Sequence, residues 1–261
     1  MKMKILLVLT LSASSFVFAQ SRFDGTWEMK MDTIELSGPP EEYLLKDGMY
    51  HCLTCVPKVD IEADGTDRKV TGHAYFDTLS VRILDANSVE FVNKKDGKPM
   101  FAATETVSAD GKTMIEEFSE TPSLQPVTGH ATFTRVNNGP DGSHRLSGSW
   151  QMRTIRNIAS TGPTTTYQTT KAGLKESAGT TSFDAKFDGN DYPLIGDPAH
   201  GTVSLRRINE DTIEQTDKQD GKVVRVTRMT VSTDGTSMKV EVTSKERAGD
   251  STMIYTARKQ P

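Results

Sequence analysis

The sequence predicts an all-β protein made of two tandem antiparallel meander barrels produced by internal duplication. Three observations carry this reading. Residues Asp64 to Glu120 match Asp188 to Ser244 without a gap at an offset of 124 positions, and a repeat that long is a whole domain copied. The dipeptide Asp-Gly begins at Asp24, Asp47, Asp64, Asp96, Asp110, Asp141, Asp188, Asp220 and Asp234, and it tolerates the positive φ that tight hairpin turns require. Each copy also opens on a Gly-x-Trp, at Gly25-Thr26-Trp27 and Gly148-Ser149-Trp150.

Residues 1–19 read as a secretory signal peptide: Met-Lys-Met-Lys, an apolar run from Ile5 to Phe18, and a small-residue cleavage site after Ala19. The run is interrupted by Thr10, Ser12, Ser14 and Ser15 and is too short to span a bilayer comfortably. The expected mature chain is exported to a periplasmic or extracellular space, with no membrane insertion. Its formal charge of −4 becomes more acidic when Lys2 and Lys4 leave, which argues against phosphate backbones and so against nucleic acid as a partner.

The first repeat is expected over 20–136 and the second over 146–261. The Gly-, Pro- and Asn-rich stretch 137–145 between them reads as an interdomain linker. Each copy shows eight or nine short strand patterns, and the one helix candidate is Glu41–Leu45. In the second copy Met238, Val240 and Val242 share one face while Lys239, Glu241 and Thr243 share the other, as a half-buried strand requires. Val224 and Val226 alternate likewise. The corresponding inner positions of the first copy are then Met114 and Phe118, with Met100 and Ala102 on the neighbouring strand. A copy of this size buries enough surface for its own core, so each is expected to fold independently.

The Gly-x-Trp at the first strand, the meander, and an arginine in the last strand of each copy (Phe133-Thr134-Arg135 and Tyr255-Thr256-Ala257-Arg258) together resemble the lipocalin and calycin group of ligand-binding β-barrels. The resemblance implies that an arginine packs over the opening tryptophan and closes one barrel end, pairing Trp27 with Arg135 and Trp150 with Arg258. The chain from Trp27 to Gln260 also resembles exported bacterial two-copy proteins.

Chemistry-bearing residues are few. Cys52 and Cys55 are the only cysteines. In an exported chain they read first as a disulfide, with free thiols, or a zinc site completed by His51 and His73, as alternatives. His73 and His130 both occur in Val-Thr-Gly-His-Ala, which can place two imidazoles on neighbouring strands or two solvated residues after turns. Glu116 aligns with Val240 on an inner face, so it is either a carboxylate inside the barrel, paired or protonated, or a wetted residue at its mouth. Gln215, Asp217 and Arg228 align with Phe91, Asn93 and Thr104 and either make the second interior the more polar or mark strand ends. No serine-nucleophile, nucleotide-binding or calcium-loop motif is present, so no cofactor and no metal is expected.

The functional expectation is a non-enzymatic binding module for a small apolar or amphipathic molecule, lined by Val89, Phe91, Met114, Glu116 and Phe118 in copy one and by Ile213, Met238 and Val240 in copy two. The alternatives are a structural or interaction protein with filled barrels, and an enzyme using Glu116 or the two histidines.

Overall fold

The computed structural model describes residues 21–120, 127–157, 162–245 and 247–261; the expected signal peptide lies outside them. The described residues form strands and turns, with no helix. The first half holds β1 (Gly25–Ser37), β2 (Glu41–Lys46), β3 (Met49–Cys52), β4 (Val59–Glu62), β5 (Arg68–Lys69), β6 (Thr78–Ile83), β7 (Ser88–Lys95), β8 (Lys98–Val107), β9 (Thr113–Glu120) and β10 (Val127–Asn138). The second holds β11 (Gly148–Asn157), β12 (Thr164–Thr169), β13 (Gly173–Ala178), β14 (Thr181–Lys186), β15 (Tyr192–Pro193), β16 (Thr202–Asn209), β17 (Thr212–Gln219), β18 (Lys222–Val231), β19 (Ser237–Ser244) and β20 (Ser251–Lys259). Ten strands per copy replace the expected eight or nine. The helix candidate Glu41–Leu45 is part of β2, where Tyr43 and Leu45 point inward and Glu42 outward with the period of a strand.

Two ten-stranded antiparallel sheets each curl into a nearly closed barrel. Barrel one has the order β4-β3-β2-β11-β10-β9-β8-β7-β6-β5, and barrel two has β14-β13-β12-β1-β20-β19-β18-β17-β16-β15. Bridges from Asp64 to Arg82 and from Ser182 to Ile195 link the two ends of each sheet. Closure leaves little free edge, which is how an antiparallel sheet of this size avoids pairing with other chains.

The order contains an exchange. β1, the first strand of the first repeat, lies between β12 and β20 of barrel two, and β11, the first strand of the second repeat, lies between β2 and β10 of barrel one. Two expectations are thereby corrected. The repeats are not self-contained domains, because each barrel takes its opening strand from the other repeat. The stretch 137–145 is not an interdomain linker either, since β10 and β11 pair with each other from Asn138 and Gly148 onward and the intervening residues turn a hairpin within barrel one.

The chain crosses between barrels after β1 and after β11. Those crossings carry Gly38-Pro39-Pro40 and Gly162-Pro163, equivalent positions of the repeat. Proline lacks the N–H that a tight hairpin needs and holds the preceding residue extended, so the chain travels on to the next barrel instead of folding back. A side chain at Gly162 would meet the Met29 carbonyl oxygen at 1.8 Å, and one at Gly38 would meet the Ser251 Cβ at 2.9 Å. Genuine hairpins use Asp-Gly: Asp47-Gly48, Asp96-Gly97 and Asp220-Gly221 have positive φ at both residues, the pair of angles that suits the twist of the flanking strands.

The cores fill the barrels. Barrel one packs Tyr43, Leu45, Tyr50, Val81, Val89, Phe91, Met114, Phe133 and Trp150, and barrel two packs Phe23, Trp27, Leu174, Phe183, Leu205, Ile213, Met229, Met238 and Val240. On β8 the inward residues are Ala103, Glu105 and Val107 rather than Met100 and Ala102. Apolar type misled there, and a bulge between Asn93 and Lys94 of β7 alters the register near that end.

Candidate functional site

At one end of each barrel a cation covers the opening tryptophan, and the exchange decides which. The Arg135 guanidinium lies 3.9 Å from the ring centre of Trp150. It donates from Nε to Gly111 O, from Nη1 to Ser147 O and from Nη2 to Arg145 O, at 2.5–2.6 Å. In barrel two the cation over Trp27 is Lys259, with Nζ 5.0 Å from the ring centre and donating to Arg22 O. The expected pairs Trp27–Arg135 and Trp150–Arg258 are therefore corrected. Trp27 sits in the other barrel from Arg135, and Arg258 faces solvent on β20, opposite Glu28. Both indoles donate to the carbonyl four residues earlier, Trp27 to Phe23 and Trp150 to Leu146, each at 2.8 Å.

Val89, Phe91, Met114 and Phe118 lie in the interior of barrel one, and Ile213, Met238 and Val240 in that of barrel two, all buried among other side chains. Phe118 stacks on Phe101 with ring centres 6.1 Å apart. Glu116 shares the interior face of β9 with Met114 and Phe118, and directly opposite it on β8 is Glu105, which the sequence reading passed over. Glu105 is 5% exposed, and its Oε2 has no hydrogen-bond partner. Burial, reinforced by the charges of Glu116 and Glu41, holds the Glu105 carboxyl well above the ordinary carboxylate range. Burial and Glu41 raise Glu116 to about 7, against the opposing pull of Arg247.

Around the two acids stand the buried Tyr43 and Tyr50, whose hydroxyls burial pushes up strongly. Tyr43 donates to Glu41. The cation facing this cluster comes from the other barrel: Arg247, in the turn between β19 and β20, has Nη1 3.0 Å from Glu41 Oε2. Its turn is pinned to barrel one by the bridge between Cys55 and Arg247 and by Ala248 N donating to Thr54 O at 2.9 Å. Above it opens a groove of about 310 Å³ between the barrels, lined by Leu36, Met152, Val242 and Met253, with Glu41 and Arg247 among its polar groups.

Barrel two has its own polar cluster. Gln215 donates to Asp217 at 2.8 Å, Arg225 Nε donates to Asp217 at 2.6 Å, and burial followed by the Asp217 charge raises Glu176, beside Tyr167, to about 7. Gln215 and Asp217 are thus interior, whereas Arg228 points outward and pairs with Glu214.

Cys52 and Cys55 form a disulfide. Strand alternation turns Cys52 inward and His51 outward, where His51 Nδ1 meets Asp60 Oδ1 at 2.5 Å, so the zinc alternative is not assembled. His73 stacks on Phe76 in the loop before β6, and His130 sits on β10, with three strands between β10 and β6. The two imidazoles are therefore not on neighbouring strands. Among the described residues no cluster of three or more His, Cys, Asp or Glu side chains is arranged to hold a metal, and no helix is long and apolar enough to cross a membrane.

No family model matches the chain, and no curated protein matches it. Among solved structures it is similar to the vaccine antigen transferrin binding protein B from Haemophilus parasuis Hp5, at 10% identity and a TM-score of 0.23, over 88% of this chain and 45% of that one. The chain thus spans less than half of that protein's length. At this level of similarity nothing about the site is carried over. What the arrangement can do follows from its own geometry: an apolar groove ends on a charged pair, and behind that pair lie two opposed, desolvated carboxyl groups.

Proposed function

We propose that this protein is an exported, non-enzymatic binding module that holds a small amphipathic molecule in the groove between its barrels. The observation that carries the proposal is the groove itself: about 310 Å³, walled by Leu36, Met152, Val242 and Met253, with Glu41 and Arg247 at hand to orient a polar head. Pockets of that kind, mostly apolar with a few convergent polar groups, are the usual form of small-molecule sites. Each square ångström of apolar ligand surface removed from water contributes about 25 cal/mol. The residues expected to line a ligand inside the barrels are occupied with packing against one another, so the groove between them is the stronger candidate.

Export is supported by the leader-like stretch at residues 1–19 and by the Cys52–Cys55 disulfide, which suits an oxidising compartment. The lipocalin-like reading of each barrel is supported by the Gly-x-Trp openings and the cation over each tryptophan ring.

Nile red fluorescence with the mature chain, and its displacement by amphiphiles, tests the proposal. Met152→Ala with Met253→Ala should weaken binding by roughly tenfold through lost contact area, whereas Phe118→Ala, in the packed interior, should lower stability and leave affinity nearly unchanged. Binding indifferent to the groove substitutions would overturn the assignment. The second reading, a structural or interaction protein, is favoured by the filled barrels. Failure of a broad amphiphile library to bind would select it.

A further inference from the structure

Resting on the groove as the ligand site, we propose that the polar head of the ligand is a cation, an alkylammonium or guanidinium group, which displaces Arg247 from Glu41 at the mouth of barrel one.

The duplication sets the interior rows of the two barrels side by side. In barrel two, Met229, Val240 and Tyr255 lie side by side across β18, β19 and β20. At the equivalent row of barrel one stand Glu105, Glu116 and Ala131, side by side across β8, β9 and β10. The same scaffold therefore closes this row with apolar and aromatic side chains in one barrel. In the other it carries two facing carboxyl groups and the small Ala131 where a tyrosine ring would stand. Burying two acids against each other is unfavourable unless something compensates them, and packing of this row does not require them, since barrel two fills the same positions with Met229, Val240 and Tyr255 and keeps its own buried acids, Asp217 and Glu176, on other strands.

The compensating charge is supplied from outside barrel one. Arg247 reaches in from the β19–β20 turn, pairs with Glu41, and is the cation that Glu105, Glu116, Tyr43 and Tyr50 all sense. One guanidinium faces three carboxyl groups. Glu105 Oε2 remains buried without a partner. Arg247 keeps 39% of its side chain exposed at the groove, its buried Nη1 meets Glu41 without completing a hydrogen bond, and Ala248, Gly249 and Asp250 of its turn are exposed, so it is a tethered occupant that can be exchanged for a free one. The incoming ammonium takes the place of the Arg247 charge rather than adding to it, so binding exchanges one cation for another without releasing protons from Glu105 and Glu116. The groups facing these acids are Glu41 and Tyr43 from β2, Tyr50 from β3, Glu120 from β9 and Arg247 from the opposing turn. The apolar walls of the groove would take the alkyl chain.

The test compares dodecylamine, dodecanol and dodecanoate, below their aggregation concentrations, by titration calorimetry on the full mature chain. Dodecylamine should bind at least about tenfold more tightly than dodecanol at about pH 8, with dodecanoate weakest. Its binding heat should be independent of the ionisation enthalpy of the buffer, as exchange of one cation for another requires. Arg247→Ala should raise amine affinity by removing the internal competitor, and Arg247→Lys, which preserves the charge, should not. Should Arg247→Ala fail to fold, Glu105→Gln with Glu116→Gln serves instead: amine affinity should fall to that of dodecanol while dodecanol is unaffected. Equal binding of amine and dodecanoate, still sensitive to Met152 and Met253, would overturn the cation proposal and leave the groove standing. No binding of any of the three would overturn both.

Discussion

The Arg135 guanidinium, from the last strand of the first repeat, lies 3.9 Å from the ring centre of Trp150, in the first strand of the second repeat. The contact is possible only because β1 and β11 have traded barrels. Arg135→Ala removes the ring contact and the guanidinium hydrogen bonds to the carbonyls of Gly111, Ser147 and Arg145, of which Ser147 O keeps the Gly139 amide as a donor, a loss of roughly 3 kcal/mol of stability. A double-mutant cycle with Trp150→Leu should show a coupling of about 1 kcal/mol, and one with Trp27→Leu should show none. Coupling to Trp27 instead would mean that each repeat closes on itself.

Cutting the chain within the exposed turn between β10 and β11 tests the exchange directly. A protease site placed near Asp141-Gly142 should yield two fragments that co-elute under native conditions, since each contributes a strand to the barrel of the other. They should separate only in denaturant. Two repeats with private barrels would separate on dilution.

Stability should fall as pH rises from about 5 to 8. Glu116 and Glu176 have native values of about 7, above the ordinary 4.5, so the folded state binds more protons than the unfolded one across that interval and the slope of stability against pH is negative. For Glu116 the loss is on the order of 3 kcal/mol and complete above its native value. Glu116→Gln should flatten the profile of the urea midpoint over this range. Below about pH 4 the trend reverses. Asp234, which Ser232 and Thr236 hold near 2, loses its stabilising ionised form there. An unchanged slope in Glu116→Gln would show that the carboxyl is not held protonated.

The disulfide should register as a mass two hydrogens below the fully reduced chain. Because its loop spans only Cys52 to Cys55, replacing both residues by alanine should cost less than the roughly 3 kcal/mol expected of a fifteen-residue loop. Cys55 bridges to Arg247, so the replacement should also increase hydrogen exchange at Ala248, whose amide bonds to Thr54 O. Protection there equal to that of the native chain would sever the link between disulfide and turn.

Local chemistry already specified much of this molecule. The alternation of Met238, Val240 and Val242, the Asp-Gly turns and the paired Gly-x-Trp segments determine strands, hairpins and a duplicated barrel, because those preferences act over a few residues and need no knowledge of distant contacts. Glu116 was legible as interior once the repeat set it against Val240. Its partner Glu105 was not, although the repeat sets it against Met229, because the apolar Met100 and Ala102 pointed to the opposite face of β8, where Ala103, Glu105 and Val107 are the residues that turn inward. Only the tertiary structure decided which barrel each opening strand enters. Trp27 and Trp150 head near-equivalent strands that offer the same pairing to either barrel, and the choice is made by connectors too proline-rich to turn back and by the packing that follows. The groove, and Arg247 resting among carboxyl groups contributed by another barrel, are products of that choice: they bring together residues some two hundred positions apart, such as Glu41 and Arg247, whose meeting depends on global chain path rather than on any local propensity.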